Sequence, residues 1–107
     1  MGRVPIREDE RRLEEPLVTE LVSELEGWSS DGKRIEKTFI RKGFTDAVAL
    51  VNAVAKAADA ANHHPDIHLE SYKKVRFVLT THASGGISRS DIDLARTIDS
   101  LAAGTAA

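Results

Sequence analysis

The sequence predicts an α+β fold: a four-stranded antiparallel sheet with three helices on one face, in the order α-β-β-α-β-β-α. Three observations predict it. Three stretches carry apolar residues at helical spacing, and two pairs of shorter stretches between them are β-branched, aromatic or alternating. Glycine and proline fall at the boundaries between these stretches.

Residues 1–15 read as a charged leader, a frayed or partly helical arm, because Arg7 to Glu15 offer almost nothing to bury. The domain proper is expected over 16–103, with 104–107 a loose tail. Pro16 suits a first helical turn, having no amide hydrogen to lose. Leu17, Leu21 and Leu25, flanked by Val18 and Val22, form the apolar stripe of a helix over Pro16–Glu26, and Gly27 is its natural stop. Trp28 opens a short strand, and Ser30–Lys33, with Asp31-Gly32, is a turn. Arg34–Lys42 is a second strand by its β-branched and aromatic content.

Phe44 and Thr45 look like the staple residue and N-cap of the next helix. From Asp46 to Asn62, Val48, Val51, Ala55, Ala58 and Asn62 share one face, and eight alanines allow close approach to a sheet. Pro65 ends that helix. Residues 66–82 form a hairpin, with Val75, Phe77, Leu79 and Thr81 on one face and Ile67, Leu69 and Ser71 on one face of the preceding strand. A two-residue loop at Lys73-Lys74 would set Glu70 opposite Phe77, a poor match in a core. A three-residue loop, Tyr72-Lys73-Lys74, sets Leu69 opposite Phe77 and Ile67 opposite Leu79. A one-residue bulge would restore the same faces. After Gly85-Gly86, Ser88 and Asp91 form an S-x-x-D variant of the capping box, with Ile87 and Ile92 as its staple. Leu94, Ala95, Ile98, Leu101 and Ala102 continue the last helix.

Composition narrows the function. The chain of 107 residues fits one domain, and its 15 basic and 17 acidic residues are well mixed, for a formal net charge of −2. That balance gives no long-range field to attract nucleic acid or an anionic membrane. Cysteine is absent, which excludes disulfides and thiolate chemistry. No apolar run has the length of a membrane span or signal peptide, so a cytoplasmic location is expected.

All four histidines, His63, His64, His68 and His82, lie within twenty residues of chain. Imidazole titrates nearest neutrality, so such a cluster can both give and take protons. Extended past Pro65, the favoured hairpin register places His64 opposite His82 and His68 opposite Val78. His63 sits at the end of the second helix, where exposed carbonyls favour the imidazolium, and Asp59, one turn upstream, would add to the effect. A zinc site is disfavoured, because His63 and His64 diverge as helix gives way to strand and Pro65 separates His64 from His68. Gly85-Gly86 lacks the strand–turn–helix surroundings of a nucleotide loop.

The segment Asp59-Ala60-Ala61-Asn62-His63-His64-Pro65, then Tyr72, Thr80-Thr81-His82 and Asp91, resembles the signature of the pterin-4a-carbinolamine dehydratases. The gap from Pro65 to Tyr72 takes the longer permitted value, and the similarity runs from about Pro16 to Ala103. The resemblance implies a hydro-lyase that removes water from 4a-hydroxy-tetrahydropterin to give quinonoid dihydropterin. That step recycles the tetrahydrobiopterin used by aromatic amino acid hydroxylases, with no metal and no redox cofactor. It implies His63, His64 and His82 as the catalytic set, and the helix-end argument assigns His63 as the acid, with His82 or His64 the base. Asn62, Thr80, Thr81 and Ala83 would line the pterin site, and Asp59 and Asp91 would orient histidines or cap the last helix. His68 lies outside the pattern. Relatives of this kind form homodimers or homotetramers. A different reading is a non-catalytic or bifunctional module acting as a dimerisation or assembly cofactor for a protein partner, which the charged leader favours and the complete histidine set disfavours.

Overall fold

The computed structural model describes residues 7–104. Its main elements are α1 (Glu15–Ser23), β1 (Ser29–Ser30), β2 (Ile35–Ile40), α2 (Phe44–Ala61), β3 (Asp66–Glu70), β4 (Lys74–Leu79) and α3 (Arg89–Gly104). The order is α-β-β-α-β-β-α, as the sequence predicts, and the four strands form one antiparallel sheet in the spatial order β1-β2-β4-β3.

Of the charged leader, residues 1–6 lie outside the described residues, as do 105–107 of the tail. From Arg7 onward the segment is held rather than frayed. Glu8–Glu10 form a 3-10 turn, Arg12 bridges to Ser88, and the Leu13 N–H donates to the Ile87 carbonyl at 2.8 Å. Polar side chains do not preclude docking when the backbone itself supplies the hydrogen bonds.

In α1, Pro16 occupies the first turn, but the helix stops at Ser23 rather than Glu26. Val18, Val22 and Leu25 face the core while Leu17 is exposed. Gly27 takes φ +84°, a conformation that favours glycine, and a Cβ there would lie 2.8 Å from Cε of Lys37, so the lysine tail would have to shift. The Asp31 carboxylate closes the next turn by accepting the amides of Lys33 and Arg34 at 2.9 and 2.8 Å. Those hydrogen bonds hold its pKa below the usual value.

Three details of the middle of the chain differ from expectation. Phe44 is already helical, and the N-cap of α2 is extended Gly43, whose carbonyl accepts the Ala47 amide at 3.0 Å, not Thr45. The buried face of α2 is Ala47, Leu50, Val54 and Ala58, whereas Val48 and Ala55 point away from the core. An alanine-rich helix offers two overlapping small apolar stripes, and only the position of the sheet chooses between them. The hairpin pairs Ile67 with Phe77 and Leu69 with Val75, around a loop of Ser71, Tyr72 and Lys73. Its register therefore lies two residues from the predicted one. A shift of two preserves every face, so the predicted faces stand while the partners change.

The inward side chains of the sheet, Ile35, Val75, Phe77 and Leu79, join Leu50 and Val54 of α2 and Ile92 and Ile98 of α3 in one core. Ile87 and Ile92 are both buried, as the staple requires. Phe39 stands edge-on to both Trp28 and Phe77, with centroids 6.5 and 5.8 Å apart. The other sheet face is polar: Arg76 pairs with Glu36 and Glu70, and His68 lies opposite Arg76 rather than Val78.

Candidate functional site

The site begins where α2 ends. Asn62 adopts the left-handed conformation (φ 52°, ψ 40°), and the amides of Asn62 and His63 return to the carbonyls of Asp59 and Ala58 at 3.2 and 3.1 Å. Asn62, rather than Pro65, thus terminates the helix. The reversal sends the adjacent histidines in different directions.

His63 turns inward and is 8% exposed. Its Nε2 lies 2.6 Å from Oδ1 of Asp91, which has no solvent exposure. Asp91 also accepts from the Thr81 hydroxyl at 2.7 Å and from the Ser88 backbone amide at 3.0 Å, both at Oδ2. The Ser88 contact is one half of the expected capping box, and it leaves the Asp91 carboxylate serving helix and histidine together. Because the single Thr81 proton goes to Asp91, the 2.6 Å contact between the Thr81 and Ser88 hydroxyls has Ser88 as donor. With Asp91 an acceptor, His63 donates from Nε2 and keeps Nδ1 for any other partner.

The Asp91 hydrogen bond raises the His63 pKa, and the Asp91 and Glu10 charges add to it; burial and Arg7 oppose it. The sequence argument reached this direction through another cause. The carbonyls of Ala58 and Asp59 are taken by the turn amides, and the Asp59 carboxylate is engaged elsewhere: its Oδ1 lies 2.9 Å from Nε2 of His64. Both members of that pair are largely exposed, at 59% and 80%, so it orients His64 weakly.

Thr80 donates to the Lys33 carbonyl at 2.6 Å, which fixes the end of β4. Thr81 follows, buried on Asp91, and His82 and Ala83 then stand exposed in a 3-10 turn, His82–Ser84. His82 is thereby one residue from the Asp91 network. The predicted pairing of His64 with His82 fails, because Asp66 pairs with Val78 and the register, continued, carries position 64 towards Thr80. The structure thus ties the His63 turn to the Thr80–Ala83 segment through Asp91, and leaves His64 outside that network. An open pocket of about 230 Å³ beside His63 is bordered by Asp9, Ala61, Ser90 and Asp93, with neither His64 nor His82 on its wall. Among the described residues no group of three His, Asp or Glu side chains is arranged to hold a metal ion. Sequence reasoning gave Ser88 a capping role only; its hydroxyl joins His63, Asp91 and Thr81 as a fourth member of the buried network, and the S-x-x-D spacing was the signal.

Comparison with known proteins gives the family. The family model described as Pterin 4 alpha carbinolamine dehydratase matches residues 11–101. A protein of Thermomicrobium roseum, named "Putative pterin-4-alpha-carbinolamine dehydratase", is 43% identical over 85% of this chain and 97% of its own. A Sulfurisphaera tokodaii protein of the same name is 44% identical, with the same coverage of 85% and 97%. The crystal structure of a "transcriptional coactivator/pterin dehydratase" from Brucella melitensis superposes with a TM-score of 0.80 at 30% identity, over 86% of this chain and 99% of that one. The chain belongs to the pterin-4a-carbinolamine dehydratase family.

Proposed function

We propose that this chain is a hydro-lyase that converts 4a-hydroxy-tetrahydropterin to quinonoid dihydropterin by histidine acid–base catalysis, in the recycling of tetrahydrobiopterin. One observation carries the reading. The buried Asp91 carboxylate holds both His63 and Thr81, and so joins the two stretches of chain that the family signature marks.

The chemistry requires two proton movements. The C4a–O bond breaks as the departing hydroxyl takes a proton and leaves as water, while N5 gives up its proton and forms the double bond to C4a. His63 suits the first role, because Asp91 favours its imidazolium and Nδ1 is the nitrogen left to deliver the proton. His82 or His64, both exposed, takes the N5 proton. Asn62, Thr80, Thr81 and Ala83 would border the pterin, largely through backbone groups, with Asp59 steadying His64. The catalytic unit is residues 16–103, acting in the cytoplasm. The sheet leaves β1 and β3 as its edges, and an open edge is a template for pairing in a homo-oligomer.

Stopped-flow dehydration of synthetic carbinolamine tests the reading. The wild-type chain should exceed the spontaneous rate, and His63→Ala, His64→Ala and His82→Ala should each lose activity by about 10²–10⁴-fold while retaining their circular dichroism. Full activity in the triple alanine variant would reject it.

A further inference from the structure

The polar face of the sheet holds groups that the chemistry above does not use. Across it runs one row of paired residues: Ser29 on β1, Glu36 on β2, Val78 on β4 and Asp66 on β3. Beside that row His68 stands opposite Arg76. These side chains, with Asp31 and Arg34, border an open hollow of about 340 Å³. Glu36 and Asp66 flank Val78 from the two neighbouring strands, about 10 Å apart at the backbone. Arg76 is held by Glu36 at 3.3 Å and Glu70 at 3.7 Å. Asp66 and His68 are exposed and unpartnered among the described residues.

Charge limits what such a hollow can hold. Three carboxylates, Asp31, Glu36 and Asp66, face two guanidiniums, Arg34 and Arg76, so the wall as a whole favours neither an anion nor a cation. Carboxylates only accept hydrogen bonds and guanidiniums only donate them, whereas a hydroxyl does both. A neutral chain of adjacent hydroxyls satisfies the two kinds together and lays its C–H groups on Val78.

The hollow lies next to the proposed site. Beyond the paired residues, position 64 and Thr80 continue the face of Asp66 and Val78, and two residues of strand advance about 7 Å. The Thr80 hydroxyl donates to the carbonyl of Lys33, the neighbour of Arg34. In the proposed reaction His64 or His82 takes the proton from N5, and C6 is bonded to N5. A substituent on C6 therefore starts beside this end of the sheet and has the hollow within reach.

We propose that the hollow is the subsite for a polyhydroxylated side chain at C6 of the pterin, with Asp66, His68, Glu36 and Arg76 meeting its hydroxyls above Val78. This assignment rests on the dehydratase reading and adds the substrate class to it.

Stopped-flow dehydration by the full chain is compared for two carbinolamines, one with trihydroxypropyl and one with methyl at C6. Wild type should favour the first in kcat/KM, mainly through a lower KM. Asp66→Ala and His68→Ala should each cut that preference, by about tenfold for Asp66, the equivalent of one hydrogen bond to a charged group. A residue with only a structural part would lower both substrates together. Equal kcat/KM for the two substrates in wild type, or losses shared equally between them in the variants, would overturn the proposal. In parallel, the oxidised, unreactive pterins with the same two side chains are titrated into the protein by NMR. The hydroxylated one alone should shift the Val78 methyl signals; a response to neither, or to both alike, would also overturn the proposal. A Val78 response confined to the hydroxylated pterin in a chain without dehydratase activity would uphold the subsite and reject the proposed catalysis instead.

Discussion

At Asp91, a carboxylate without solvent exposure accepts from His63, Thr81 and Ser88, and such burial is tolerable only while all three donors stay. The His63 contact makes stability depend on pH. Its folded pKa is raised above the ordinary 6.5, chiefly by the Asp91 hydrogen bond, so the folded chain binds that proton more tightly than the unfolded chain. The contribution is fully present below the unfolded value and is lost as pH rises through the higher folded one. Urea unfolding of wild type and His63→Phe, from mildly acid to mildly alkaline pH, should show the wild-type advantage shrinking as pH rises. An advantage constant across that range would remove Asp91 as the cause. The sequence made His63 legible as the acid-biased histidine, but its local argument credited Asp59 with the effect, and Asp91 entered only through the family signature. Asp59 is a helical turn away and Asp91 is 28 residues away, and local spacing cannot see the second.

At the scale of elements, the hairpin between β3 and β4 carries an identifiable strain. Ser71 and Tyr72 both have positive φ, 49° and 55°, in a conformation that costs a residue with a Cβ about 1–2 kcal/mol. Replacing the pair by Asn-Gly should stabilise the domain by about 1 kcal/mol, read as a higher urea midpoint at unchanged slope. A loss of stability would mean that the Tyr72 ring, although 58% exposed, contributes more than the strain removes. The loop was readable as three residues but was placed one position late. Period-two alternation fixes which face each strand buries, and leaves shifts of two open. The α2 stripe shows the same limit at helical period. Val48 and Val51 fit the pattern as well as Leu50 and Val54 do, and packing buried the latter pair fully, left Val51 half-buried against the core and Val48 exposed.

Across the whole molecule, one core joins strands and helices, and Phe77 lies at its centre with no exposure and an aromatic contact to Phe39. Phe77→Ala should cost about 3–5 kcal/mol, a large share of the roughly 5–15 kcal/mol available to a small domain, and calorimetry should show a much lower Tm. A shift of only a few degrees would place the core elsewhere. Trp28 and Lys37 are joined to this assembly by Asp99, which accepts from Trp28 Nε1 at 3.1 Å and from Lys37 Nζ at 3.0 Å. Asp99 was missed in the sequence, where it reads as one polar position on the outer side of a helix. The charged segment ahead of α1 was misjudged for a related reason: its attachment runs through backbone amides and carbonyls near Ile87 and Ser88, which composition does not display.

The sequence by itself determined the order of elements, the inward faces of the strands, the left-handed turn at Gly27 and the break in the chain at His63-His64-Pro65. These follow from periodicity, from steric limits on single residues and from a spaced signature, all of which are local or linear. Only the tertiary structure decided which carboxylate His63 meets, which stripe of α2 is buried, which residues pair in the hairpin and where the leader docks. Each is a choice among nearly equivalent local patterns, and it is made by groups far apart in the chain when the core closes.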